Sequence, residues 1–272
     1  MSMREIKVSV VMGVYNPRNT KQLFQAIDSI INQSFTDWEM IICDDGSDKK
    51  YVKLIKEVSG RDNRIKYLRY SKNKGLAHAL NVGVANSKGK YIARMDADDI
   101  SNPNRLVKEY RFLEYNPRFQ WVGSNAYLID DKGIWGDENV KKIPKKEDFL
   151  EYSPYIHPSV MFRREALELV GGYTVSKDTA RCEDYELFMR LHEQGLEGYN
   201  IKEKLLEYRF DDAAHLKRRY KYSISEMKVR YVGFRKLGIL KIRTSLYVIR
   251  PLFAWLFRVS TFKYLMRKVR NG

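Results

Sequence analysis

Apolar blocks and amphipathic stretches take turns along this chain almost from its start. Residues 8–14 are nearly unbroken in apolar character, as a strand covered on both faces should be. Residues 20–32 carry Leu23, Phe24, Ile27, Ile30 and Ile31 at helical spacing, and predict a helix. The rhythm repeats: a strand at 38–43, a helix at 48–58, a strand at 65–70, a helix at 75–85 and a strand at 91–95. Pro103 is expected in the first turn of a further helix reaching about residue 115, because proline suits the first helical position. This alternation predicts an α/β fold with a mostly parallel, Rossmann-like central sheet flanked by helices. Beyond residue 120 the pattern loosens into shorter strands and loops. A polar, Lys-rich stretch at 141–148 reads as a mobile surface loop. A strand at 157–163 and a helix at 183–193 follow. After residue 212 the composition turns to Tyr, Arg, Lys and Leu, predicting a basic C-terminal helical appendage with helices near 213–237 and 244–268.

Charge sharpens this division. The chain of 272 residues has a net charge of +16, which invites a nucleic-acid reading. Yet residues 213–272 hold 16 Lys/Arg and 1 Asp/Glu, leaving residues 1–212 at a net +1. A nucleic-acid partner is not expected, because the charge is confined to the tail and acidic clusters elsewhere would repel phosphate. The tail reads better as an anionic-membrane element. Its longest wholly apolar run, 252–257, is far short of the roughly 20 residues that span a bilayer. Leu252, Phe253, Trp255, Leu256, Phe257, Phe262 and Leu265 are interspersed with Arg250, Arg258, Lys263, Arg267 and Lys268, as in an interfacial helix. A helix docked on the main domain, with a solvated basic face, is the other reading. Cys43 and Cys182 match neither a metal spacing nor a disulfide framework, which fits a reducing cytoplasm. The N-terminus carries no signal-peptide cleavage site, so secretion is not expected.

Two acidic clusters follow strands, where an open parallel sheet binds its ligands. Asp44 and Asp45 stand in Asp44-Asp45-Gly46-Ser47, which reads equally as a turn with a helix N-cap. Asp96-Ala97-Asp98-Asp99 is harder to treat as a solvated turn, since its three carboxylates repel one another unless screened. A divalent Mg²⁺ or Mn²⁺ bridging a diphosphate would screen them. Neither G-x-G-x-x-G nor a Walker A loop is present, which removes the main support for dinucleotide oxidoreductases and P-loop enzymes.

The run from Val8 to Asn16 resembles the start of family 2 glycosyltransferases. So do Asp44-Asp45-Gly46-Ser47, Asn73-Lys74-Gly75-Leu76-Ala77 with Asn81, and Ala93-Arg94-Met95-Asp96-Ala97-Asp98-Asp99. His157-Pro158-Ser159-Val160-Met161-Phe162-Arg163, Gly171-Gly172-Tyr173 and Cys182-Glu183-Asp184-Tyr185-Glu186-Leu187 continue the likeness in the family's order. The resemblance implies a GT-A fold and inverting, metal-dependent transfer from a nucleoside-diphosphate sugar, UDP-linked by preference. The acceptor it implies is a saccharide or lipid-linked saccharide in bacterial capsule, exopolysaccharide or O-antigen synthesis. The basic tail points to an enzyme peripheral on the inner face of the cell membrane, and the chain divides into a donor half at 1–100, an acceptor half at 101–212 and a tail at 213–272. By position, the nucleotide-sugar site would comprise Val14, Tyr15, Asn16, Asp44, Asp45, Lys74, Gly75, Arg94, Asp96 and Ala97, with Tyr15 and Asp44 or Asp45 at the base and ribose. Asp96 and Asp98 match the D-x-D motif, Asp98 as the direct metal ligand, and His157 would face the diphosphate or metal.

The general base is read from the helix at 183–193. Asp184, Leu187, Phe188 and Leu191 share its apolar stripe, whereas Glu183, Glu186 and Arg190 fall on a polar one. An inward carboxylate gains the raised pKa that a base needs, so the role goes to Asp184 rather than Glu183. Cys182 replaces the threonine of the family's T-E-D pattern. The rival readings are a sugar-phosphate nucleotidyltransferase and a basic nucleic-acid-binding protein. The first lacks its Gly-rich triphosphate loop, and the charge distribution opposes the second.

Overall fold

A computed structural model describes residues 5–17, 19–210 and 220–256. Four strands, β1 (Val8–Val14), β2 (Trp38–Asp44), β3 (Ile65–Arg69) and β4 (Tyr91–Arg94), run parallel in the order β3-β2-β1-β4. Helices α1 (Thr20–Ile31), α2 (Lys49–Ser59) and α3 (Leu76–Ala85) connect them. Val8, Val10, Met12, Met40 and Ile42 are buried together with Leu23, Ala26, Ile27 and Ile30 of α1, which is why these strands read as solid apolar blocks. Register places Val14 beside Asp44 and Asp44 beside Arg69. The loops after β1, β2 and β3 therefore open level with one another on a single edge. Val11 pairs with Arg94, so the acid-rich segment after β4 leaves its strand alongside the last residues of β1.

The sheet continues from β4 as β8 (Met161–Arg163), β6 (Phe119–Asp130), β9 (Glu197–Arg209) and β5 (Ile100–Ser101), with β7 (Gly133–Glu138) as a hairpin partner of β6. β6 and β9 are parallel, while β8 is antiparallel to both of its neighbours. Among the described residues this makes a nine-stranded sheet. Short strands were expected here, but β6 and β9 are the longest in the molecule. Register shifts near Trp121, Asn125 and Ala126 interrupt the alternation of inward and outward residues, which hides long strands from a period-two reading.

Three further expectations are corrected. Helix α4 (Arg105–Tyr115) starts two residues after Pro103, because Gln33 pins the approach: its Nε2 donates to the Asn102 carbonyl at 2.7 Å and its Oε1 accepts from the Leu106 N–H at 3.0 Å. The stretch at 141–148 is anchored, since Asn200 donates from its backbone N–H to the Lys142 carbonyl at 2.8 Å and from Nδ2 to the Lys141 carbonyl at 2.7 Å. Residues 157–159 form a 3₁₀ turn ahead of β8 rather than part of the strand, closed by the Ser159 N–H donating to the Ile156 carbonyl.

A second core cluster gathers helix α5 (Arg164–Leu169), helix α6 (Glu183–Glu193) and the described part of the tail, α7 (Tyr220–Lys236) and α8 (Ser245–Leu256). Val229, Phe234, Leu237, Ile239 and Val248 are buried in it beside Leu187, Phe188 and Met189. Arg230, itself buried, donates to the Leu150 and Glu151 carbonyls at 2.7 and 2.9 Å. The described tail helices are thus docked on the α/β body. Positions 213–219 and 257–272 of the expected tail helices lie outside the described residues.

Candidate active site

Three loops at the carboxyl edge of the parallel strands are tied to one another. Asn16, at φ 44, donates from its backbone N–H to the Ser47 Oγ at 3.0 Å, and its side-chain oxygen accepts from the Asp48 N–H at 2.8 Å. Asp45 binds the next loop: Oδ1 accepts from the Lys74 N–H, and Oδ2 from the Gly75 N–H and Asn73 Nδ2, all at 2.8 Å. Gly75, at φ 93, holds the left-handed backbone that opens α3, a conformation costly for residues with a Cβ. Asp44 is fully enclosed at 0% exposure. Its Oδ1 accepts from the Ser47 N–H at 2.8 Å and its Oδ2 from the Tyr67 hydroxyl at 2.7 Å, and Oδ2 is ion-paired with Arg69 Nε at 3.2 Å. Asp44 and Asp45, the two acids expected at the base and ribose, are both buried, and both hold loop groups in place. Val14 is also buried, whereas Tyr15 stands 52% exposed and Lys74 is exposed.

The second cluster is drawn together by β4 and β9. Carboxylate oxygens of Asp96, Asp98 and Asp99 lie within 4.8 Å of one another. Arg94, almost wholly buried, pairs with Asp96, and its Nε has no hydrogen-bond partner among the described residues. The antiparallel register of β5 with β9, Ile100 on Glu207 and Ser101 on Leu206, carries Asp99 toward Tyr208 and Asp98 toward Arg209. The Arg209 N–H donates to Asp99 Oδ1 at 2.8 Å and its Nε to the Asp98 carbonyl at 2.9 Å. Behind the cluster, buried Arg105 donates from Nη2 to the Arg94 carbonyl at 2.8 Å and from Nε to Glu109 at 3.0 Å.

Asp98 is exposed by surface area, yet desolvation of its carboxyl and the Asp96 charge push its pKa up to about 6. Asp99 is pushed well above the usual carboxylate range by burial and then by Asp96 and Asp98. Asp99 Oδ2 has no hydrogen-bond partner among the described residues. Three clustered oxygen donors, one of them buried and unpartnered, suit a hard divalent cation such as Mg²⁺ or Mn²⁺.

The first turn of α6 lies within electrostatic reach of this cluster. Asp184 is half-buried by surface area, yet desolvation of its carboxyl raises its pKa, against the opposing pull of the Tyr185 N–H and the Arg94 charge, with Asp96 adding to the rise. Glu183 departs from expectation: it is buried, its Oε2 lacks a partner among the described residues, and burial raises its pKa too. Farther along the same helix, α7 packs on α6, with Gly233 against Met189. Glu186 and Arg190 do pair, at 2.7 Å, and Arg190 also donates to the Gly172 carbonyl at 2.8 Å.

His157 lies inside. Its Nε2 meets the Tyr173 hydroxyl at 2.7 Å, and it is no member of the carboxylate cluster. Burial, and then Arg94, hold its pKa well below the ordinary histidine value. Tyr173 is placed by Asn81, which accepts from the Tyr173 N–H and donates to its carbonyl, both at 2.8 Å. Its phenol is pushed up by burial, with Arg94 opposing the rise and Asp184, Glu183 and Asp96 adding to it. Sequence reasoning assigned no role to Asp99, Tyr208, Arg209 or Arg105. The first stands inside a motif already quoted, and the others become visible only through strand register or burial.

Comparison with known proteins agrees with this geometry. The family model described as Glycosyl transferase family 2 matches residues 9–171. The glycosyltransferase EpsE of Bacillus subtilis is 35% identical over 97% of this chain and 95% of its own. The UDP-Gal:alpha-D-GlcNAc-diphosphoundecaprenol beta-1,3-galactosyltransferase of Escherichia coli is 30% identical over 97% of this chain and 96% of its own. Among solved structures, S. aureus TarS 1-349 in complex with UDP superposes with a TM-score of 0.64 at 15% identity, covering 94% of this chain and 72% of that one. The mannosyltransferase PcManGT from Pyrobaculum calidifontis, in complex with GDP-Man and Mn²⁺, gives 0.64 at 16% identity, covering 95% and 76%. These two likenesses establish the GT-A architecture.

Proposed function

Because the chain belongs to glycosyl transferase family 2, we propose that it transfers a sugar, with inversion, from a nucleoside-diphosphate sugar to a hydroxyl of a lipid-linked saccharide in bacterial surface-polysaccharide synthesis. A UDP-sugar is the proposed donor. The E. coli relative, whose name specifies UDP-Gal and a diphosphoundecaprenol acceptor, supports that choice. Residues 1–100 form the donor half in this reading, residues 101–212 the acceptor half, and residues 213–272 a tail that keeps the enzyme peripheral at the inner face of the membrane. Among the described residues, no helix is long and apolar enough to cross a membrane.

One observation carries the reading: Asp184, at the head of α6 and raised in pKa by desolvation, lies within electrostatic reach of Asp96 in the carboxylate cluster after β4. Asp184 takes the proton of the acceptor hydroxyl as that oxygen attacks the anomeric carbon. The bond from that carbon to the diphosphate oxygen breaks in the same displacement, and its electron pair leaves with the diphosphate. Desolvation leaves Asp184 more basic than a solvated aspartate, which suits proton abstraction. Asp96, Asp98 and Asp99 would hold a divalent cation, whose chemistry is to neutralise charge gathering on the departing diphosphate. Arg94 balances the acids around it. Tyr15, Asn16, Asp45, Lys74, Gly75 and Ala97 line the proposed nucleotide-sugar side, and Asp44 supports them from within.

The test is release of nucleoside diphosphate from UDP-, GDP- and dTDP-sugars, with and without Mn²⁺, on a polyprenyl-diphosphate-linked N-acetylglucosamine acceptor. Asp184→Asn should bind UDP as the native protein does and turn over about 10²-fold more slowly or worse, with Glu183→Gln much less affected. A larger loss in Glu183→Gln would move the base to Glu183. No release from any donor would overturn the transferase reading.

A further inference from the structure

Helix α8 presents opposite faces to opposite surroundings. Val248 and Pro251 are buried on one side. On the other, Leu246 is 68% and Phe253 50% exposed, and the preceding 3₁₀ turn adds Ile242 at 93%. The orientation is fixed rather than incidental. Pro251 has no N–H to offer the Tyr247 carbonyl one turn back, and the buried Arg230 supplies that donor from Nη1 at 3.3 Å. Arg250 pins the same helix by donating to the Glu151 carbonyl at 2.9 Å. One side chain reaching in from α7 and one reaching out from α8 therefore hold an apolar stripe toward solvent.

Scattered exposed apolar residues are ordinary, but these three follow helical spacing and stand among unpaired cations. Lys241 and Arg243 are exposed, and neither has a carboxylate partner among the described residues. By contrast, Lys228 and Lys236 of α7 are paired with Asp178 and Glu193. From residue 228 to the end, the chain has twelve Lys/Arg and no Asp/Glu. A second copy of this surface would meet like charge. A bilayer with anionic headgroups supplies both partners at once, acyl chains for the stripe and phosphates for the cations.

We propose that Ile242, Leu246 and Phe253, flanked by Lys241 and Arg243, form the face by which this protein lies on an anionic lipid bilayer. The inference rests on the peripheral-membrane part of the reading above and gives it a defined surface. Electrostatic attraction brings the helix to the surface, and the apolar stripe then holds part of the binding against salt.

The experiment is co-sedimentation of the full chain with phosphatidylcholine vesicles, with and without phosphatidylglycerol, at low and high salt. The native chain should pellet with the anionic vesicles and not with the neutral ones. Lys241→Gln/Arg243→Gln should weaken low-salt partition on the order of tenfold. Leu246→Ser/Phe253→Ser should weaken it comparably and abolish the salt-resistant part. Both pairs lie away from the candidate site, so unchanged UDP affinity certifies folding. A native chain that ignores anionic vesicles overturns the inference. So does native-like binding by both double variants, which would assign the attachment to other basic residues of the tail. Self-association dissolved by Leu246→Ser/Phe253→Ser, without vesicle binding, overturns it in favour of a second copy. Vesicle binding without sugar transfer to a water-soluble acceptor defeats only the transferase reading, and transfer without vesicle binding defeats only this one.

Discussion

Asp44, at the end of β2, and Asp98, shortly after β4, lie at the same edge of one sheet and answer to opposite demands. The Asp44 carboxylate holds Ser47, Tyr67 and Arg69 from within, so its removal strands three buried or half-buried polar groups. Asp44→Ala should lower unfolding free energy by about 2–4 kcal/mol in urea titration. Asp98 lies in a field of like charge from Asp96 and Asp99. Asp98→Asn should leave the metal-free protein as stable as the native one or slightly more so, while Mn²⁺ affinity measured calorimetrically with UDP present falls on the order of tenfold or more. Loss of stability in Asp98→Asn with unchanged Mn²⁺ affinity would reverse these assignments. The acid-rich spacing after β4 was legible because nearby like charges need a reason. That both Asp44 and Asp45 are buried was not, since their partners Tyr67, Arg69 and Lys74 come from elements further along the chain.

At the scale of elements, the parallel half was readable because each strand is an apolar block bounded by amphipathic helices. The second half was not, because bulges in β6 against β9 break the period on which strand recognition depends. Burial of Glu183 escaped notice because the pattern along one helix does not reveal what tertiary packing brings beside it. The turn from α5 toward Tyr173 shows how local backbone serves the site. Gly172 sits at φ 72, and a Cβ there would lie 2.6 Å from Asn81 Oδ1, the atom that receives the Tyr173 N–H. Gly172→Ala should therefore cost about 2 kcal/mol or more in thermal or urea unfolding and slow transfer by displacing Tyr173 beside Asp184. A fully stable variant with native turnover would show that the turn tolerates a side chain.

For the whole molecule, a cation and nucleotide that bind only the folded chain should raise its melting temperature. At one hundred times the dissociation constant the gain is about 2.7 kcal/mol, several degrees for a chain of this size. Scanning calorimetry with Mn²⁺ and UDP should show that rise in the native protein and not in Asp98→Asn. The bond from the Arg209 N–H to Asp99 spans 110 positions, and that from Asn81 to Tyr173 spans 92. Contacts so distant in sequence close late, because the entropy of the intervening chain must be overcome first. During synthesis, Asp96, Asp98 and Asp99 emerge from the ribosome long before Arg209 exists to fix them. The nascent chain therefore passes through most of its elongation without an assembled cation trap, and the affinity for metal arrives together with completion of the sheet.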